Sequence, residues 1–240
     1  MVQRHYQQYM PVNIIPKITL DVLVNGEYLT HHKHNGKSYI AGEPNSDYVI
    51  RVRNNTPGKV EVILSVDGLS VMNGEPASYT DNGYVIAGKG SIDIPGWRRD
   101  SQKTAAFCFA EIGESYASKM DKDENNVGVI GVAIYREKQR KVVARSPFDT
   151  VWDSFKSSKP MRRKSSSQQN VGTGYGSEVD HAVRKVSFER DTKEPYTVQA
   201  LYYNDRAALV AQGIIVEDQS PNPFPAEKNP QTPAPPGWKG

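Results

Sequence analysis

Three imidazoles crowd into Thr30–Lys37 (THHKHNGK), where His31, His32 and His34 have the donor type that captures zinc or nickel. His32 and His34 would share one side of a continuing strand. Against a metal, Lys33 repels a cation, the turn holds no carboxylate, and Asn35-Gly36 marks a hairpin end, so the expectation is a solvated turn with no metal. Asp121, Asp123 and Asn125 alternate as calcium-loop ligands do, but Asn126 and Val132 stand where an EF-hand needs Gly and a bidentate Glu. A polar loop before Val127 is expected there. Gly172-Thr173-Gly174-Tyr175-Gly176 has phosphate-loop composition without the Lys-Ser/Thr ending, a preceding strand or a following helix, and reads as a flexible turn.

Acid–base chemistry has four carboxylates to draw on, Asp67, Asp81, Glu111 and Glu114, with no neighbouring histidine in sequence to support one as a base. Cys108, scattered serines and His181 make no nucleophile arrangement. The reading is therefore non-enzymatic, with no catalytic residue, no metal and no cofactor.

Binding chemistry is better represented. Lys156–Lys164 (KSSKPMRRK) carries five positive residues and no acid, and Arg162, Arg163 and Lys164 are expected to dock on acidic grooves of a neighbouring protein. A net charge of +3 is too small for the whole surface to bind nucleic acid, and no specific nucleic acid is expected. The tail, residues 217–240, holds seven of the sixteen prolines, so it forms no core of its own and offers Phe224 and Trp238 as anchors. An N-terminal arm, residues 1–17, offers Tyr6 and Tyr9 in the same way. In IPGWRRD, the Pro95-Gly96 turn could present Trp97 and Arg98 at a sheet edge for a partner; the competing expectation is that Trp97 caps the core.

These residues need a scaffold, and its signals are those of strands. Ile18–Val24 alternates and ends at Asn25-Gly26, a two-residue hairpin signal, with a returning strand at Glu27–Thr30. Asp47–Arg53, Lys59–Val66, Gly83–Ala87, Ser91–Ile94, Ala105–Ala110 and Val127–Glu137 are further strands, and Lys141–Ala144 a continuation. Asp67-Gly68 and Asn73-Gly74 bracket the short LSVM segment. Val183–Arg190, Tyr196–Tyr203 and Ile214–Glu217 read as returning strands, and Arg206–Gln212 as one helical turn closed by Gly213. Cys108 alternates with Phe107 and Phe109 and is expected to be buried and inert; a single cysteine also excludes an internal disulfide.

About ten short strands with turn chemistry between them predict an all-β fold, an antiparallel β-sandwich or jelly-roll-like body over residues 18–216. A basic, Ser-rich loop spans 153–176. No segment approaches the ~20 apolar residues of a membrane span, and no secretory signal is visible.

The blocks SVDGLSVMNGEPAS, GYVI, IPGWRRD, AAFCFA, SYA and NVGVIGVAIYRE, followed by GTGYG, FERDTKEP and YYNDRAALVAQGII, resemble a family found in bacteria and their phages. The resemblance covers roughly 18–216 and implies one unit, not two domains. It carries over no activity and no functional residue. The leading expectation is a phage virion component such as a capsid decoration (cement) protein, oligomeric, contacting capsid or other virion subunits and possibly itself. Its location would be the virion, or the cytoplasm if the gene is bacterial. The alternatives are a carbohydrate- or peptide-binding sandwich module and a hydrolase on a sandwich scaffold. A chain trimmed to residues 18–216 should melt cooperatively and near the full-length midpoint, because the arms supply almost no apolar periodicity; calorimetry checks this, and a broad, molten transition would refute a single body.

Overall fold

Asn25-Gly26, Asn35-Gly36 and Asp67-Gly68 hold both residues at positive φ, the backbone that two-residue type I′ hairpins require. The computed structural model describes residues 17–120, 124–139 and 169–216. The first turn joins β1 (Ile18–Val24) to β2 (Glu27–Tyr28), and the second joins β3 (His32–His34) to β4 (Lys37–Ala41). After β5 (Asp47–Asn54), the third joins β6 (Val60–Val66) to β7 (Leu69–Ser70). Then come β8 (Tyr84–Ile86), β9 (Ser91–Ile94), β10 (Gly96–Arg98) and β11 (Lys103–Glu111). A short helix α1 (Tyr116–Lys119) precedes β12 (Val129–Arg136), and β13 (Val171–Asp180), β14 (Thr197–Asn204) and α2 (Arg206–Ala211) complete the described chain.

These strands form two seven-stranded sheets. One runs β10-β11-β5-β1-β2, with β9 beside β5 and β13 beside β11; the other runs β3-β4-β14-β12-β6-β7, with β8 beside β6. Pairing is antiparallel except between β4 and β14. Alternate residues point inward: Val22, Ile50, Val52, Phe107 and Phe109 from the first sheet meet Val62, Leu64, Ile130, Val132 and Leu201 from the second in one core. The all-β sandwich expected from strand spacing is the observed architecture.

Four local expectations need correction. Val171–Gly176 is not a flexible turn or part of the Ser-rich loop: it opens β13, which pairs with β11 from Lys103 to Glu111. Its glycines mark close approach, since a Cβ on Gly172 would sit 2.6 Å from the Ser115 Cβ. Val183–Arg190 joins no ladder and makes one isolated bridge, Arg190 to Glu137. It crosses the outer face of the second sheet as a strap: Phe188 packs on Ile63, Ala133 and Tyr135. Arg190 clamps its end, donating to Glu61 Oε2 at 2.6 Å and to the carbonyls of Tyr79 and Asp81 while covering the Tyr135 ring. Ile214–Val216 is likewise no strand, because the Ile214 and Ile215 N–H groups turn back to the Leu209 carbonyl behind Gly213 (φ 67°) and close α2. Cys108 is half-buried, not buried: the two phenylalanines take the core face and leave the thiol on the outer one.

The expected helix of Arg206–Gln212 is present, with the Asp205 side chain accepting from the Ala208 N–H at its start. Lys141–Ala144, Asp121, Asp123 and residues 217–240 lie outside the described residues.

Trp97 sits on β10 at a sheet edge, but its ring turns inward and is 3% exposed. It meets Phe107 edge-on at 5.3 Å, lies 4.9 Å from Tyr116, and its Nε1–H donates to the Gly174 carbonyl at 3.1 Å. Of its two expected roles, capping the core is the one its position allows. Trp97→Ala should cost about 3–5 kcal/mol of unfolding free energy in urea titration, and Trp97→Phe less; an unchanged midpoint would contradict this packing.

Candidate partner-binding surface

Asp67 and Gly68 must turn β6 into β7, and that turn buries the Asp67 carboxylate between the sheets. Oδ1 accepts the Tyr203 hydroxyl at 2.5 Å and the Gly128 N–H at 2.9 Å, and Oδ2 accepts the Thr173 N–H at 2.7 Å. Thr173 Oγ1 lies 2.6 Å from the Tyr203 hydroxyl and 2.7 Å from that of Tyr48. Because Tyr203 donates to Asp67, the hydroxyls order in one direction: Tyr48 to Thr173, Thr173 to Tyr203, Tyr203 to Asp67. Tyr48 and Thr173 belong to the first sheet, Asp67 and Tyr203 to the second. This is a latch between layers, sealed from solvent.

Burial pushes the Asp67 carboxyl up to about 6, against the hydrogen bonds from Tyr203, Thr173, Gly128 and Val129 that pull it down. Tyr48 and Tyr203 are both driven well above the ordinary phenol range, chiefly by burial. Asp67, Tyr48, Thr173 and Tyr203 are each at most 2% exposed, so their bonds are made to one another and to the backbone.

The other expected acids have local duties. Asp81 accepts the Ser78 N–H at 3.0 Å, Glu114 pairs with Lys119 at 2.5 Å, and Glu111 is exposed at the end of β11. His32 and His34 stand opposite Tyr39 and Lys37 across the β3–β4 hairpin. His31 faces Asp21 of β1 at 3.6 Å, so a carboxylate absent from the turn arrives from a neighbouring strand. Arg98 is occupied internally: it donates to the His181 carbonyl at 2.6 Å and the Tyr84 hydroxyl at 3.1 Å, and lies 2.6 Å from His181 Nδ1. Burial first, and then the Arg98 charge, lower the His181 imidazole, which fits a neutral ring accepting at Nδ1. A partner reaching Arg98 would have to break these bonds, contrary to the expectation that it is presented at a free edge. The thiol of Cys108 is raised by burial and by Asp47, the wrong direction for a nucleophile. Tyr6, Tyr9, Arg162, Arg163, Lys164, Phe224 and Trp238 lie outside the described residues.

Sequence reasoning missed a groove on the surface. The Asn54–Gly58 turn, the Lys89 turn, the end of β12 and the strap enclose an open groove of about 1330 Å³. Buried Asn54 builds the first wall: its Nδ2 donates to the Gly58 and Ala87 carbonyls, and its Oδ1 accepts from Thr56. Lys59 pairs with Glu137, and Lys138 with Glu189. Three cations face the groove with no carboxylate partner among the described residues. Lys17 donates to the Tyr196 hydroxyl at 3.1 Å, Arg136 lies 3.4 Å from the Tyr196 ring centre, and Lys89 donates to the Asn55 carbonyl at 2.6 Å. The Lys17 hydrogen bond and the Arg136 charge lower the Tyr196 phenol. Scattered over positions 17, 89 and 136, these cations form no run in the sequence.

The latch has a measurable pH signature. The folded state holds the Asp67 proton more tightly than the unfolded chain does. Its contribution to stability therefore falls as pH rises from about 4 to about 6, by roughly 3 kcal/mol, and is level above that. Asp67→Asn should remove this slope from chemical-denaturation curves and lower stability at every pH, since Nδ2 would confront the Thr173 N–H. A slope that survives in Asp67→Asn assigns the titration elsewhere.

Comparison with protein-family models, curated proteins and solved structures found no match for the chain, so the functional reading rests on the groove and the latch themselves.

Proposed function

We propose that the chain is a non-enzymatic structural and interaction protein, a phage virion component such as a capsid decoration (cement) protein. The observation that carries the reading is the groove: Lys17 and Gln139, to which residues 1–16 and 140–168 are bonded, both line it, beside Lys89 and Arg136. Residues 1–16 and the start of 140–168 thus join the body at one basic surface, while the other end of 140–168 rejoins it at Gln169, against the Tyr203 carbonyl. Acidic segments of neighbouring subunits match the basic surface in charge, and the latched sandwich supplies a rigid platform. The buried groups with raised proton affinities, Asp67, Tyr48 and Tyr203, point inward, which suits holding and not turnover. We take a phage particle as the setting from the resemblance read in the sequence blocks, and many copies on a lattice would convert modest contacts into firm attachment.

Incorporation into particles tests this, or self-association where no particle is available. Lys89→Glu with Arg136→Glu should reduce attachment by about tenfold or more and flatten its salt dependence, with the thermal midpoint kept. Deletion of 1–15 or 219–240 should reduce it independently. Wild-type incorporation by all three variants would remove both the groove and the arms from the interface.

A further inference from the structure

The side of the sandwich where β1 faces the β3–β4 hairpin and β14 is open. A cleft of about 560 Å³ runs there, with Ile18–Asp21 on one wall and Lys37, Ser38 and Gln199–Tyr202 on the other. Two bonds fix how the β1 backbone is turned. The Ile18 carbonyl accepts Gln199 Nε2 at 3.1 Å, and the Val22 carbonyl accepts the Leu29 N–H at 2.9 Å, both on the side away from β5. Main-chain groups alternate sides along a strand, so the Leu20 N–H and C=O, midway between, point the same way. Leu20 lines the cleft and, though only 7% exposed as a residue, has no strand partner on that side among the described residues.

The cleft's polar groups are selective. Lys33 and Lys37 both line it; Lys33 donates to Ser38 Oγ, and Lys37 lies 4.6 Å over the Tyr202 ring. Among the described residues, Asp21 is the sole carboxylate in the lining, and it faces His31. His31 Nε2 is buried, has no hydrogen-bond partner among the described residues and lies 3.6 Å from Asp21. A main-chain step turned toward the cleft, flanked by Lys33 and Lys37, is what an extended acidic peptide would meet there.

We propose that this cleft takes an extended acidic peptide segment of a partner chain, which adds to the β1 edge at Leu20 and sets its carboxylates near Lys33 and Lys37. Strand addition gives such a site its affinity through main-chain bonds and its preference through flanking side chains. The site is separate from the basic groove and does not depend on it.

The test uses the full chain and three capped synthetic peptides: alternating valine and glutamate, the same peptide N-methylated on alternate amides, and alternating valine and lysine. Anisotropy titration gives affinity, and amide shifts in labelled protein locate the site. The glutamate peptide should bind and shift Leu20 and His31. N-methylation, or Lys33→Glu with Lys37→Glu, should weaken binding by about tenfold or more without moving the thermal midpoint. Lys89→Glu should leave the Leu20 and His31 shifts and their titration midpoint unchanged, which separates this site from the groove. Equal binding of the lysine or N-methylated peptide, or no binding of the glutamate peptide, would overturn the proposal.

Discussion

A single buried carboxylate sets the spacing of the two layers. Asp67 sits at a positive-φ turn position and receives donors from both sheets, so its bonds are satisfied only when β13 and β14 are both in register. Apolar side chains hold sandwiches together without specifying their alignment, since dispersion tolerates sliding. The hydroxyl chain from Tyr48 to Asp67 does not. Removing one member leaves a buried donor or acceptor unpaired, at about 1–3 kcal/mol each. The layers are therefore fixed by directional bonds as well as by packing.

That rigidity explains where interaction chemistry is found. Inside, Asp67, Tyr48 and Tyr203 are spent on architecture. Outside, the Arg190 clamp presses the strap onto the second sheet, covering Ile63 and Tyr135, and the same strap forms one wall of the basic groove. One segment thus covers apolar surface on its inner side and shapes a charged concavity at its border. A surface built this way offers fixed charges to a partner, with little ordering cost on the protein's own side.

Much of the architecture was legible because it is encoded locally. Asn-Gly and Asp-Gly turns read directly as hairpins, and the boundaries of β1 and β9 follow alternation to the residue. Where the reading failed, distant contacts had overridden local grammar. The glycines of β13 look like a loop until Ser115 and Val127 are seen filling the space a Cβ would need. Val183–Arg190 has strand composition, but the neighbour it meets is the face of a sheet and not its edge, so no ladder forms. Asp67 was recognisable as a turn residue. Its burial depended on Thr173 and Tyr203, more than a hundred positions away, and no local pattern announces that. The groove was invisible for the same reason: its cations converge from three separate turns and strand ends.

The parallel pairing of β4 with β14 has a consequence for how the chain is made. β14 fills the gap between β4 and β12, so residues 37–41 and 129–136 find their common neighbour only when 197–204 has been synthesised. Until then the second sheet is two pieces with open facing edges, and neither Asp67 nor Thr173 has Tyr203 to bond. Contacts of such long sequence separation make for slow, late closure. A ribosome-bound chain short of Thr197 is therefore a templating hazard for its neighbours on the same message, and β14, the last of the described strands, is the one that ends it.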